Sequence, residues 1–358
     1  MKICFIVGAY PTMRCGVGDY TSVLAEELAK KGDEVHVITS DRASNKSQNV
    51  VVHNIVKEWK LSTIKPIVKE LKRIKPDVVN IEYPSDEYFR ITVTLLPPII
   101  KRSIKCKVTI TIHEYDYFDT SVKKSLKDKI RLYLNFHKLD TIISVEKQYI
   151  ERIKRDCPKG NIVHIPISSN IPKSNAEKEE LKELKLKYGI DDKKVISYFG
   201  FSTKTKGIEY LLKCMPKLEE DVKLLYINEL DEKNDYHKSL LDLMNELNIQ
   251  DRVIITGFID KPEDVANILS ISDVCVLPFV NGLETRNGSF LAAYNQKIRI
   301  ITTSKNNEID ENGIYFVKPQ NQEELLDKIK YVLEDTRDFE RKELTWDEVT
   351  NEYLKVFE

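Results

Sequence analysis

Short apolar runs alternate with amphipathic stretches along the first half of the chain. Helical spacing of apolar residues marks YTSVLAEELAKKG, the stretch that ends before Pro76, and a further stretch from about residue 122. The apolar runs of strand length are KICFIVG, EVHVITS, DVVNIEY, KVTITIHEY, TIISV and NIVHIPI. Apolar strands separated by helices are typical of a parallel sheet that is covered on both faces. The pattern predicts a doubly wound α/β domain.

The second half repeats this alternation after a charge-dense segment at 171–192. Its predicted strands are KVISYFG, VKLLYIN, RVIITGF, VCVLPF and IRIITT. Its predicted helices are GIEYLLKCM, YHKSLLDLMNEL, PEDVANILSIS, GSFLAAYNQ and QEELLDKIKYVLED. We therefore predict two doubly wound Rossmann-like domains, at 1–170 and 171–342, that face each other across a cleft. Residues 343–358 form a last helix that packs back on the first domain, and ligands are expected at the carboxyl ends of the strands.

The amino-acid composition favours a globular protein and disfavours membrane-spanning, disulfide-rich and zinc-binding classes. The 358 residues are 41% apolar with 12 Gly and 13 Pro, which is ordinary for a globular chain. No run approaches the ~20 apolar residues of a membrane span, and the first apolar run has the character of a strand. The six cysteines form no CxxC pair, which disfavours a disulfide framework or a zinc site. We expect a cytoplasmic protein.

Charge is nearly balanced overall but uneven along the chain. Residues 1–170 hold 29 Lys and Arg against 20 Asp and Glu, whereas the remainder holds 27 against 37. Much of the basic excess lies at 57–76 and 123–138, and in the first of these stretches the lysines occupy the face opposite the apolar one. This face is either a solvated helix surface or one that is attracted to an anionic membrane or an anionic acceptor. A nucleic-acid partner is not expected.

Two glycines stand between the first strand and the first helix. Gly16 and Gly18, in CGVGDY, let backbone N–H groups approach a phosphate or a sugar at the start of a helix. The alternative is a turn that requires glycine. The dinucleotide fingerprint GxGxxG is not completed, because its third position is Thr21.

Two further strand ends carry candidate chemistry. Lys206 precedes Gly207 on the loop after KVISYFG, where its charge and the start of the following helix can meet a diphosphate together. Lys204 is either part of this site or a solvated lysine. His113 ends the strand TITI beside Glu114 and Asp116, which is a better position for function than for a simple strand cap.

An ordered series of landmarks carries a family resemblance. The landmarks are GAYPTMRCGVGDYTSVLAEELAKKGDEVHVITS, KPDVVNIEYP, TIHEYD, YFGFSTKTKG, VIITGFI, SDVCVLPF and GLETRNGSFLAA. Across essentially the whole chain, the sequence resembles glycosyltransferase family 4, which comprises retaining sugar-nucleotide enzymes with the two-domain GT-B fold. The resemblance implies an acceptor-side first domain and a second domain that binds the nucleotide sugar.

The resemblance also assigns roles to residues of the first domain. It places the loop of Gly16 and Gly18 over the donor phosphates and the acceptor, with Asp19 nearby. It places His113 opposite the anomeric centre, as a catalytic residue. The aromatic and polar loops at 84–94 and 113–121 suit a glycan or a lipid-linked saccharide acceptor, and Tyr83 and Tyr115 are the contacts that we expect there.

In the second domain, the family pattern is only partly present. Glu284 matches the first of two glutamates, the one that holds hydroxyls of the donor sugar and counts as catalytic, whereas the ribose-binding second glutamate falls on Ala292. An Arg usual in the family is replaced by Phe201, and either Lys204 or Arg286 can supply the missing cation. The other expected donor contacts are Phe258 and the backbone amides near Asn287, Gly288 and Ser289.

The implied activity is a retaining, hexosyltransferase-type transfer from a nucleotide-diphosphate sugar to a glycan or lipid-linked saccharide, in cell-surface polysaccharide or glycoconjugate synthesis. No Asp-x-Asp motif is present, and we expect neither a metal nor another cofactor. The expected location is the cytoplasm, peripherally at the inner face of the cell membrane. Two alternatives remain: an inactive GT-B subunit that binds a sugar nucleotide or a partner protein, which Phe201 and Ala292 favour, and a nicotinamide-dependent oxidoreductase, which the incomplete glycine fingerprint disfavours.

Overall fold

The computed structural model of the protein describes residues 1–13, 15–44, 47–84, 90–115, 130, 136, 138–306 and 308–358. The chain divides into two compact units, one formed by Met1–Ser168 with Thr345–Glu358 and the other by Ser169–Leu344. The helical stretch predicted from about residue 122, Asp116, and all but a few residues of the basic run at 123–138 lie outside the described residues.

The first unit is built on a seven-stranded parallel sheet. Its strands are β1 (Lys2–Ile6), β2 (Glu34–Ser40), β3 (Val50–Val56), β4 (Val78–Tyr83), β5 (Lys107–Ile112), β6 (Thr141–Ser144) and β7 (Ile162–His164). Their spatial order is β3-β2-β1-β4-β5-β6-β7. Strand β1 therefore lies between β2 and β4, which is where the winding of the chain changes direction.

Helices cover both faces of this sheet. They are α1 (Gly16–Lys30), α2 (Ile64–Ile74), α3 (Arg90–Ser103) and α4 (Ile150–Asp156). Helix α2 buries Ile67, Leu71 and Ile74 against the sheet, as its helical spacing predicts. It ends at Lys75, which has a left-handed backbone (φ 56°) directly before Pro76.

The second unit has a six-stranded parallel sheet with the order β10-β9-β8-β11-β12-β13. Its strands are β8 (Lys194–Phe199), β9 (Val222–Ile227), β10 (Val253–Ile255), β11 (Val274–Leu277), β12 (Arg299–Thr303) and β13 (Ile314–Val317). Its helices are α5 (Lys178–Lys187), α6 (Ile208–Leu212), α7 (Asp235–Glu246), α8 (Pro262–Ser270), α9 (Gly288–Asn295) and α10 (Gln322–Glu334). Strand β8, between β9 and β11, marks the second switch point.

The last helix, α11 (Trp346–Phe357), belongs to the first unit. It buries Val349, Tyr353 and Phe357 in the core that β1 and α1 share, and the ring centroid of Phe357 lies 6.4 Å from that of Phe5. Along the described part of the chain, none of the helices combines the length and apolar composition needed to cross a bilayer.

The doubly wound α/β prediction is confirmed in both units, but several elements were missed. Strands β3 and β13 close one edge of each sheet, and their patterns are partly exposed. An edge strand has neighbours on one side only, so its sequence is less uniformly apolar than that of a central strand. Helix α5 lies inside the charge-dense segment 171–192, where Glu177 and Glu180 form a capping box at its start.

Candidate functional site

The loop between β1 and α1 distinguishes its two glycines. A Cβ added to Gly18 would lie 2.5 Å from the carbonyl oxygen of Ala9, so a larger residue does not fit without movement. A Cβ on Gly16 would meet nothing within 4 Å. Gly18 therefore serves the close packing of α1 on the first loop, while Gly16 is exposed at the helix start. Asp19 is exposed in the first turn of α1.

His113 follows β5 and is buried against a carboxylate. Its Nε2 lies 2.7 Å from Oε2 of Glu82, and the side chain of Glu82, on β4, is fully buried. The second carboxylate oxygen, Oε1, accepts a hydrogen bond of 2.7 Å from Nδ2 of Asn80. The sequence reading missed Glu82, although a charged residue inside the apolar run DVVNIEY is a signal for a buried polar site.

A polar network extends from this pair to the last helix. Thr111 Oγ1 lies 3.0 Å from the hydroxyl oxygen of Tyr353, which accepts a hydrogen bond of 2.9 Å from the hydroxyl of Tyr20. The ring of Tyr20 meets that of His113 edge to face, with 4.8 Å between centroids. Burial raises the pKa of both phenols, and the negative charge of Glu82 adds to the shift, so both hydroxyls keep their hydrogen.

The two tyrosines expected to contact an acceptor lie in the core of the first unit. Tyr115 is fully buried, and its hydroxyl donates to Oδ2 of Asp156 over 2.7 Å. Tyr83 is 4% exposed and packs in the same apolar cluster. In this structure both rings fill the core, and their role toward an acceptor stays a prediction.

Three charged residues come together at the strand ends of the second unit. Burial lowers the pKa of Lys206, the positive charge of Arg286 lowers it further, and Glu284 opposes the shift. Arg286 Nη2 donates to Oε2 of Glu284 over 2.6 Å. Lys206 Nζ lies 4.9 Å from the ring centroid of Phe279. The cluster places two cations beside one carboxylate at the switch point of the sheet.

Gly207 fixes the position of Lys206. It has a left-handed backbone (φ 67°), and an added Cβ would lie 2.2 Å from the carbonyl oxygen of Pro278, at the end of β11. Glycine is the residue that combines this backbone with this approach, so it brings the lysine loop directly against the loop that leads to Glu284. The close approach to Pro278 thus explains why residue 207 is a glycine, and this glycine sets the position of Lys206.

The remaining donor candidates have different surroundings. Lys204 is exposed and lines a shallow groove with residues at the start of α7: Asn234, Asp235, Tyr236 and Ser239. Phe201 and Phe258 are exposed aromatic side chains on loops of the same unit. Of the two cations that the sequence offers in place of the missing arginine, Arg286 is the one whose charge acts on Lys206.

The start of α9 is already capped by its own sequence. Asn287 Oδ1 accepts hydrogen bonds from the amides of Ser289 (3.1 Å) and Phe290 (3.4 Å). The Ser289 amide predicted to bind phosphate therefore has an acceptor in this structure, while Gly288 is exposed. Ala292 is fully buried in the core, where it carries no group that could bind a ribose.

Family comparison assigns both halves of the chain to sugar transferases. Residues 2–146 match the family described as "Glycosyl transferase 4-like", and residues 193–335 match the family described as "Glycosyl transferases group 1". These two ranges contain Glu82 and His113 in the first unit and the cluster of Lys206, Glu284 and Arg286 in the second.

Individual relatives agree with this assignment. The chain is 24% identical over 292 residues to the N-acetyl-alpha-D-glucosaminyl L-malate synthase of Bacillus anthracis, covering 77% of this chain and 73% of the relative. Its fold matches Anabaena HepE in complex with UDP (TM-score 0.74, 14% identity, 99% and 94% coverage). It also matches the sucrose-phosphate synthase of Thermosynechococcus elongatus (TM-score 0.71, 18% identity, 100% and 94% coverage). The chain is a glycosyltransferase with the GT-B fold.

Proposed function

We propose that the protein is a retaining, hexosyltransferase-type enzyme of glycosyltransferase family 4. It moves a sugar from a nucleotide-diphosphate sugar to a glycan or lipid-linked saccharide, in the synthesis of cell-surface polysaccharide or glycoconjugate. The observation that carries the proposal is the cluster of Lys206, Arg286 and Glu284 at the switch point of the second sheet. The UDP bound to Anabaena HepE, which shares the fold, supports a nucleotide donor.

Each member of the cluster has a distinct task toward the donor. Lys206 and Arg286 bind the diphosphate oxygens, and each charge-assisted hydrogen bond contributes about 1.5–3 kcal/mol. Because Lys206 is partly desolvated and lies near a second cation, a diphosphate relieves an unfavourable arrangement as well as adding contacts. Glu284 accepts hydrogen bonds from hydroxyls of the donor sugar, and Gly16 and Gly288 are the exposed glycines from which backbone amides can reach phosphate.

The reaction needs positioning and electrostatics more than covalent help from the protein. The bond between the sugar C1 and the diphosphate oxygen breaks, and the acceptor oxygen bonds to C1 on the same face. The acceptor proton passes to the departing phosphate oxygen, so no protein nucleophile is required. His113 contacts a hydroxyl group of the substrates. The two cations perform the neutralisation that a divalent metal performs elsewhere, and the chain has no Asp-x-Asp motif to hold such an ion.

A basic face on α2 supports peripheral membrane contact. Lys65, Lys69 and Lys72 are exposed along one side of the helix. They line an open, mostly apolar groove of about 800 Å³ together with Leu61, Ile64, Pro66, Val68 and Ile99. Lysines beside exposed apolar side chains are the combination that binds an anionic lipid surface. We place this face at the inner leaflet of the cell membrane, where a lipid-linked acceptor would be found.

Thermal unfolding with a panel of nucleotide sugars tests the proposal. A donor that binds the native state raises its stability by about 2.7 kcal/mol at a hundredfold excess over Kd. We expect one nucleotide family to raise Tm in the presence of EDTA, and the same donor to be turned over without added metal. Absence of any shift across the panel would refute nucleotide-sugar binding. A shift without turnover on any saccharide acceptor would favour the inactive-subunit alternative.

A further inference from the structure

Glu82 is a fully buried carboxylate whose two oxygens both have defined partners. Oε2 lies 2.7 Å from Nε2 of His113, and Oε1 lies 2.7 Å from Nδ2 of Asn80. Burying a carboxylate inside a parallel sheet is costly unless it is hydrogen-bonded, and an apolar residue would suit this position in β4 better. The presence of a carboxyl group here, with partners at both oxygens, indicates a task that an apolar side chain cannot perform.

We propose that Glu82 is a positioning residue that fixes the tautomer of His113. A carboxylate only accepts hydrogen bonds, so Nε2 of His113 must carry the hydrogen that lies between them. In the neutral ring, Nδ1 is then left with a lone pair. His113 thereby presents a hydrogen-bond acceptor to the substrates. The inference rests on the proposed function in one respect, which is the contact of His113 with a substrate hydroxyl.

The partners of Glu82 are themselves held in one orientation. Thr109 Oγ1 donates to Oδ1 of Asn80 over 2.6 Å, which turns the amide NH2 of Asn80 toward Glu82 and Thr111. Asn80, Thr109 and Thr111 are all fully buried. The edge-to-face packing of Tyr20 on the ring of His113 limits rotation of the imidazole. The direction of each hydrogen bond from Thr109 to His113 is therefore set by the network.

An acceptor at Nδ1 suits the proposed chemistry. Hydroxyl groups of the donor sugar and of the saccharide acceptor are the polar groups at the reacting centre, and a lone pair can orient one of them by accepting its hydrogen. The opposite tautomer would offer an N–H at the same place. This N–H cannot accept the hydrogen of the substrate hydroxyl. The hydroxyl group would then not be held in the orientation that the reaction needs. The tautomer is thus a determinant of turnover more than of folding.

Glu82→Gln tests the inference with a minimal change of shape. Asn80 presents an N–H, so the new amide must turn its oxygen toward Asn80 and its NH2 toward His113. Nε2 of His113 then has to accept, and the hydrogen moves to Nδ1. Nitrogen-15 NMR of the ring distinguishes a hydrogen-bearing nitrogen from one with a lone pair, and a His113→Gln spectrum identifies the resonances. We expect the tautomer to reverse and kcat to fall about 10- to 100-fold, with a smaller effect on KM.

A second substitution should restore the original tautomer. In the double variant Asn80→Asp with Glu82→Gln, the carboxylate at position 80 accepts from the amide NH2 at position 82. The amide oxygen then again accepts from Nε2 of His113. Thr109 can still donate to the new carboxylate, and the hydroxyl of Thr111, which accepts from Asn80 in the parent, can rotate to donate instead. We expect the hydrogen to return to Nε2 and kcat to recover to within a few-fold of the parent. A merely structural role for Glu82 predicts no such rescue.

The wild-type spectrum decides the inference even where a variant fails to fold. Hydrogen on Nε2 and a lone pair on Nδ1, at the pH of the assay, is the expected result. Hydrogen on Nδ1 in the wild-type protein, or an unchanged tautomer in folded Glu82→Gln, would overturn it. Because the spectrum is recorded without donor or acceptor, it stands apart from the turnover assays that test the proposed function.

Discussion

Arg286 and Glu284 form an ion pair in which Nη2 and Oε2 are 2.6 Å apart. Their side chains are 24% and 39% exposed, and pairs at this level of exposure contribute only about 0–1 kcal/mol. The proposed diphosphate ligand can therefore replace Glu284 as the partner of Arg286 at little cost in free energy. The carboxylate of Glu284 is then available to the hydroxyls of the donor sugar. In the proposed reaction, the donor would separate two residues that pair with each other in this structure.

Substitution of Glu284 should affect transfer more than nucleotide binding. Glu284→Ala removes the contact with the sugar hydroxyls but leaves Lys206 and Arg286 for the diphosphate. We expect kcat/KM to fall about 10- to 100-fold, whereas the Kd of the nucleoside diphosphate changes by less than about threefold. Calorimetric titration and an initial-rate assay measure the two quantities. Glu232→Ala, which removes an exposed carboxylate of the same unit, is the matched control, and equal losses in both assays would argue against this division of tasks.

Lys206 should account for most of the stabilisation that a donor provides. Lys206→Ala removes a partly buried cation from the proposed diphosphate site, so the rise in Tm on adding the donor should disappear. Lys204→Ala should reduce that rise only partly, because Lys204 is exposed and the charge near Lys206 comes from Arg286. Lys330→Ala, at an exposed position of α10, should leave it unchanged. Full retention of the rise in Lys206→Ala would contradict the assignment of Lys206, and an equal effect of the Lys204 and Lys330 substitutions would exclude Lys204 from the donor site.

The lowered pKa of Lys206 predicts a pH dependence with a definite sign. The folded protein binds this proton more weakly than the unfolded chain does, so the ammonium costs stability at neutral pH and the cost shrinks as pH rises through the folded pKa. A diphosphate favours the charged form. Donor affinity should therefore fall on the alkaline side at a pH below that of an ordinary lysine, with proton uptake on binding. Lys206→Arg keeps its charge over this range and should remove the fall, which titrations across pH will show.

Substitutions of the two glycines in the loop between β1 and α1 should affect different properties: Gly18→Ala should lower stability, and Gly16→Ala should weaken binding. Gly18→Ala forces a Cβ within 2.5 Å of the Ala9 carbonyl and should lower the free energy of unfolding by about 1–3 kcal/mol. Gly16→Ala meets no atom within 4 Å and should change it by less than about 0.5 kcal/mol. The two tryptophans of the chain, Trp59 and Trp346, both lie in the first unit, so their fluorescence in urea reports this unit alone.

Binding by the same pair of variants then tests the predicted role of Gly16. If its amide approaches a phosphate or a sugar, the added methyl group in Gly16→Ala should weaken the donor without altering stability. Unchanged donor affinity in this folded variant would leave Gly16 as a turn residue. Equal stability of the Gly16→Ala and Gly18→Ala proteins would contradict the packing described for α1.

The alternation of apolar runs was enough to predict both sheets, because central parallel strands are buried on both faces and leave a strong local signal. Strands β3 and β13 escaped prediction because their local signal is weak: β3 contains His53 and Asn54 and is partly exposed, and β13 has only four residues, two of them partly exposed. Glu82 escaped because its partner, His113, lies 31 residues away along the chain. The contact between Tyr20 and Tyr353 joins residues 333 positions apart, and the sequence around neither residue predicts it.

At the candidate site, the sequence predicted residue types better than their partners. Lys206, Glu284 and Arg286 were each identified by position, but their mutual arrangement is a property of two loops brought together by Gly207. The burial of Tyr115 could not be predicted, because an aromatic residue after a strand end suits a binding loop and a core equally well. Its hydrogen bond to Asp156 and its burial distinguish the two, and both depend on tertiary packing.

The basic face of α2 gives the proposed membrane contact a direct test. Lys65, Lys69 and Lys72 would each contribute about 1 kcal/mol near an anionic surface, so replacing all three by Gln should weaken binding to phosphatidylserine vesicles about 100-fold. The matched control replaces Lys182, Lys185 and Lys187 on α5, a helix of the second unit with a similar density of charge. Vesicle sedimentation should show tight binding for the parent and the control, loss for the α2 variant, and suppression by high salt. Equal binding of all three proteins, or equal binding to uncharged phosphatidylcholine vesicles, would show that the lysines of α2 only solvate the helix.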